Sequence, residues 1–378
     1  ALDALERIYA VTNRPRDLAS ILRRKRSKAE GEARRDLTFR LGQLYAGPLS
    51  DDERAIESFR EVLEGEPGHA ESIAALETYL GRPKHRLEVA KFLEPHFLAA
   101  NNFPKLAWVL QVIVEGTASG PERLELLRRL VRVHDEALGD QESAFAAVTE
   151  AVSEYPEEEP LWDDLDRLAG VVGRRAAQAK RLEEVYGSKR LTNDAQLRLA
   201  RRLAVLCDEG LGERKRAEPY HMFILQQDAD DAVSFAAVDA LLKAEERYEE
   251  LSKVLRARAY RTTQSPVRVD MLQQLAFVLE DMLEKPAEAT ATYREIRDAQ
   301  PENELAIKSL ERLLEAGGKW EELCELLEQT LGIAQFESEF DRRLRIAQLR
   351  EQRLEQQTAA LDDYRQLLVQ NAEDGRLV

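Results

Sequence analysis

The chain has 378 residues, of which 33% are charged, 44% hydrophobic and 6% aromatic, and its formal net charge is −16 at pH 7. That acid surplus repels phosphate backbones and argues against general nucleic-acid binding. The abundant Leu, Ala, Glu and Arg are strong helix formers, and no alternating β-branched run bounded by turns is present, so the expected fold is all-α.

In chain order, the first expected hairpin carries Leu5 and Ile8 on one helix and Leu18 and Leu22 on the next, with Pro15 opening the second. A basic stretch follows, with ten Lys or Arg against four acids from Arg14 to Arg40. The segment Arg40–Pro67 then reads as a complete hairpin. Leu41, Gly42 and Tyr45 lie on its first helix, Ala55 and Phe59 on its second, and Pro67 closes it. A small Ala lets two helices approach, the aromatic four residues on fills the groove beside it, and a Pro cannot continue the helix.

These stations recur. Ala55, Ala144, Ala217, Ala289 and Ala360 are separated by 89, 73, 72 and 71 residues. Four residues later stand Phe59, Val148, His221, Tyr293 and Tyr364, and the closing position is Pro67, Pro156, Ala229, Pro301 and Ala372. The preceding helix carries Leu41, Leu130, Leu203, Leu275 and Ile346 in register. A second hairpin alternates with this one: Leu310, Leu313, Trp320, Leu323 and Leu327 match Val238, Leu241, Tyr248, Leu251 and Leu255. The repeating unit is therefore about 72 residues, two hairpins or four helices, a period that signals stacked repeats.

On these residues the chain resembles the tetratricopeptide repeat (TPR) family, as a degenerate array of the long bacterial type. Arg40–Pro67 carries the Leu, Gly, Tyr, Ala, aromatic and Pro positions, whereas Gly42 becomes Val131, Ala204, Ala276 and Ala347 in the other copies. The resemblance implies a right-handed α-solenoid of stacked antiparallel helical hairpins, about 20 helices in all. It reads as one continuous array over 1–378, with units near 5–75, 76–164, 165–237, 238–309 and an incomplete 310–378, in a piece of a longer chain. Each hairpin would bury its apolar stripe only against its neighbours.

The second unit is longer than the rest by some 18 residues, and the extra helix is expected around Arg86–Glu115. Asn101-Asn102 marks a turn there and Pro104 a helix start. Leu106–Val114 is apolar except for Gln111, and is far too short to cross a bilayer. Phe92, Phe97, Phe103 and Trp108 gather in this segment. They form either a thickened core or an exposed patch that holds a partner. Acids concentrate elsewhere: eight with no base from Glu150 to Asp166, and 16 against six bases from Glu280 to Phe340.

No phosphate-binding glycine loop, zinc-binding His-Glu-x-x-His helix or serine elbow is present. His69, His85, His96, His134 and His221 are scattered, Asp228-Ala-Asp230-Asp231 lacks the Gly of a calcium loop, and Gly317-Gly318 is a hairpin turn. Cys207 and Cys324 form no disulfide framework, which fits a reducing compartment and favours the cytoplasm, although a chain this poor in Cys is compatible with either kind of compartment. The reading is a scaffold that binds a protein or peptide partner, with no nucleic acid, no transmembrane segment, no cofactor or metal, and no catalytic residue. The alternative is a docking or regulatory arm whose catalytic domain lies outside this segment.

Overall fold

In the computed structural model, which describes residues 1–333 and 337–370, the chain forms 21 α-helices and no strand among those residues. Contacts divide it into two compact units, Ala1–Ala195 and Gln196–Val378. The first holds α1 (Leu2–Val11), α2 (Pro15–Arg26), α3 (Gly31–Ala46), α4 (Asp52–Gly65), α5 (Ala70–Glu77) and α6 (Arg86–Ala99). It continues with α7 (Phe103–Gly116), α8 (Pro121–Arg132), α9 (Gln141–Glu154), α10 (Glu159–Val171) and α11 (Arg175–Gly187). The division falls in the first turn of α12 (Asn193–Val205). The second unit continues with α13 (Arg214–Gln227), α14 (Ala232–Ala244), α15 (Tyr248–Arg261), α16 (Ser265–Phe277) and α17 (Pro286–Ala299). It ends with α18 (Glu304–Ala316), α19 (Trp320–Gln329), α20 (Glu339–Gln352) and α21 (Gln357–Gln370). In each unit consecutive helices pack pairwise, as in a solenoid of hairpins.

The repeated stations are where the helices meet. Ala55, Ala144, Ala217, Ala289 and Ala360 are all buried, and so are Leu41, Leu130, Leu203, Leu275 and Ile346. Each such Leu adds roughly 1.5–3 kcal/mol by leaving water. At Gly42 the approach is closest: a Cβ there would lie 2.6 Å from the Phe59 ring, so only glycine admits that aromatic. The copies that carry Ala or Val at Gly42's position also change the residue facing it. Ala372 lies outside the described residues.

Two turn geometries repeat alongside the helices. The α3/α4, α8/α9, α12/α13, α16/α17 and α20/α21 hairpins each place a half-buried leucine (Leu49, Leu138, Leu211, Leu283, Leu354) before a left-handed residue. The six-residue closing bonds that follow, such as Asp51 N–H to Tyr45 O at 2.8 Å and Lys285 N–H to Leu279 O at 2.7 Å, satisfy carbonyls that the helix end leaves open. In three copies the helix widens into a π turn first, at Val133–Ala137, Leu206–Gly210 and Val278–Met282.

The alternating hairpins turn at Asn13, Asn101, Gly173, Glu246 and Gly318, each at positive φ. The next N–H bonds back five residues in every case, from Arg14 to Tyr9 at 3.0 Å through Lys319 to Leu314 at 2.9 Å. Asn102 to Phe97 at 2.9 Å belongs to this set, which makes α6/α7 an ordinary hairpin. The extra helix is therefore not in Arg86–Glu115 but upstream, in α5 and the 3₁₀ turn Thr78–Gly81 that ends it. The cause is Pro83: the residue before a proline is pushed out of the helical region, and Arg82 is extended at φ −102° and ψ 111°. Tyr79 and Leu80 drop into the core as the chain turns.

Candidate partner-binding surfaces

The four aromatics singled out in the sequence separate. Phe97 is core, 2% exposed. Phe92 is half-buried under the Arg60 guanidinium at 4.8 Å, with the His96 ring 4.9 Å away. Phe103 opens α7 half-buried. Trp108 is 45% exposed. No ring contact joins any two of them among the described residues.

Trp108 stands out because of the helix that carries it. Leu106, Ala107, Val109, Leu110, Val112, Ile113 and Val114 of α7 are all buried. Pro104, Trp108 and Glu115 are exposed and Gln111 half-buried, a narrow stripe at helical spacing. Further along the same stripe, Gln111 donates to Glu115 at 3.3 Å and Arg86 pairs with Glu115 at 2.9 Å.

The sequence reading passed over a groove of about 550 Å³ between α13 and α15. Met222, Leu225 and Gln226 face it from α13, with Ala229 just beyond the helix. From α15 it is met by Glu250, Lys253, Val254, Ala257, Arg258 and Arg261. Both sets run at spacings of three and four, so one helical stripe from each side lines the groove. Met222 and Leu225 rest on the core of the unit and form the floor. Both ends are tied across: Arg247 grips Glu218 with two bonds of 2.9 and 2.8 Å, and Arg261 donates to the Gln226 carbonyl at 3.1 Å. The register of Met222 within the repeat was the signal that could have revealed it.

A larger cleft of about 760 Å³ lies on α4 and the start of α6. It is acidic, but its carboxylates are mostly satisfied: Glu53 by Lys84 at 2.8 Å, Glu88 by Arg60 at 2.6 Å, and Glu61 by Arg26 and Arg34. His221 is buried with Nδ1 3.1 Å from Ser234 Oγ, and burial holds its pKa below the usual histidine value against Asp208 and Asp231. Burial lowers His134 in the same way, opposed by Asp140. Among the described residues no three His, Cys, Asp or Glu side chains are grouped to hold a metal ion, and no helix is long and apolar enough to cross a membrane.

Compared with known proteins, residues 306–339 match the tetratricopeptide repeat. A chain from the structure of Naa15/Naa10 bound to HypK-THB is similar at 13% identity and a TM-score of 0.24. The match covers 99% of this chain and 64% of that one, so this chain spans just under two thirds of its length. No curated protein sequence matches.

Proposed function

Because the chain is of the TPR-like family, a repeat type that generally serves as a protein-interaction scaffold, we propose that it is a non-catalytic adaptor holding a protein or peptide on its helical surface. The observation that carries this reading is Trp108, a large aromatic 45% exposed on a helix whose aliphatic side chains from Leu106 to Val114 are all buried. A side chain that is apolar over most of its area and half exposed suits the anchor of an interface, where Trp is among the commonest hot spots.

The test compares the protein with its Trp108→Ala variant as baits in extract of the source organism, with bound proteins quantified by mass spectrometry. The expected outcome is a discrete partner retained by the first and lost by the second, a loss of about 2 kcal/mol or more in affinity. Because the indole is half in water, the variant should keep its fold, losing about 1 kcal/mol or less by denaturant melting. A partner held equally by both baits, or a melting loss of the 3–5 kcal/mol typical of a core Trp, would remove Trp108 from this role.

A further inference from the structure

We propose that the groove between α13 and α15 is a docking site for an acidic segment of a partner protein, anchored by a bulky apolar side chain. The argument starts from a repeat station. Five residues after each repeated Ala stand Arg60, Thr149, Met222, Arg294 and Arg365. Where the neighbouring helix is in reach, the Arg straps the gap shut: Arg294 bonds Glu322 on α19, and Arg60 bonds Glu88 on α6 at 2.6 Å. Arg297 adds a bond to Gln329 at 3.4 Å across the same α17/α19 gap.

In α13/α15 the strap is missing. Met222 occupies the Arg station, and Glu250, at the place of Glu322, is turned away to Arg247 by bonds of 2.8 and 2.6 Å. The gap is left with an apolar floor and walls that carry cations. Arg258 lies over the Phe235 ring at 4.0 Å, which holds its guanidinium at the groove. Among the described residues, Lys253, Arg258 and Arg261 have no carboxylate within ion-pair distance. A chain with 71 acids and 55 bases could supply one. Three cations without an ion pair, beside a groove whose one lining acid is bonded to Arg247, complement an acidic occupant. The volume falls within the about 300–1,000 Å³ of ordinary binding sites. The site shares the scaffold reading but is independent of Trp108.

The probe is a phage library of random 15-residue peptides selected on the full chain. Enriched peptides should place acids on both sides of Leu, Ile, Phe or Trp. The best of them, labelled and titrated, should bind the Met222→Arg and Lys253→Glu variants at least tenfold more weakly. It should bind Trp108→Ala unchanged and lose affinity as salt is raised. Should Met222→Arg melt more than a few degrees early, Lys253→Glu and Arg261→Glu, on exposed positions, decide the matter. No enrichment, a basic consensus, or equal binding to wild type and the groove variants would overturn the proposal. So would concentration-dependent dimerisation that Met222→Arg abolishes, since the occupant would then be a second copy. Loss of a Trp108-dependent partner leaves this result untouched, so the two readings fail separately.

Discussion

The α17/α19 gap and the α13/α15 gap occupy the same place one repeat apart, and they differ in what crosses them. The first is bridged by Arg294–Glu322 and Arg297–Gln329, with acids at its edge. The second is tied at its ends, and its middle is an apolar trough flanked by cations that form no ion pair among the described residues. The supporting framework is equal in both: Ala217 and Ala289 are buried at the crossings, and His221 and Tyr293 fill the next position. In a repeat protein the period builds the fold, so a local departure from it can be altered without rebuilding the frame.

The strongest test of that shared frame is at the crossings. Ala217→Phe and Ala289→Phe should each overpack the approach of two helices and cost about 1–3 kcal/mol by urea unfolding. A large loss in one and none in the other would show that the two copies are not in the same register. A smaller effect is expected from Arg294→Met, which imposes the α13 residue on α17. The Arg294–Glu322 pair is 41% and 42% exposed, so its removal should cost about 0–1 kcal/mol. Opening this gap should not create affinity for acidic peptides, because Glu322 and Glu325 remain at its edge. Tight binding of such a peptide to Arg294→Met would mean that the missing strap, and not the cations, makes the site.

The smallest effect concerns pH. Burial holds His221 below the ordinary histidine pKa of about 6.5, whereas it moves Tyr293 upward and away from neutrality. Between the folded and unfolded pKa of His221 the unfolded chain binds more protons, so stability rises with pH through that window and is lost as pH falls below about 6.5. His221→Tyr should therefore shrink the drop in Tm between pH 7.5 and 5.5. Some drop should remain, since His134 contributes with the same sign. An unchanged slope would show that His221 does not stay neutral in the fold.

Much of the architecture was legible in the chain itself. The stations of Ala, Leu and the aromatic recur because each helix crossing makes the same demand on the same turn, and that demand is local enough to be read by comparing copies. The turn leucines from Leu49 to Leu354 recur as plainly, though a search for apolar stripes passes over a single residue in a loop. The place of the extra helix was not legible. Its signal was Gly81 and Pro83, two turn residues outweighed by the aromatic richness of Arg86–Glu115.

Only the tertiary structure decided which side of each helix meets water. Phe97 and Trp108 lie on one hairpin, yet one is core and the other half in solvent, because neighbouring helices cover one side of α6 and leave one stripe of α7 open. Met222 likewise reads as an ordinary apolar residue. Its meaning depends on the distance across to α15, on Glu250 turning to Arg247, and on cations that form no ion pair among the described residues. Helical periodicity follows from neighbours three and four residues apart. A gap between two helices depends on side chains some 28 residues apart, as Arg294 and Glu322 are, and only the packed fold shows whether they reach each other.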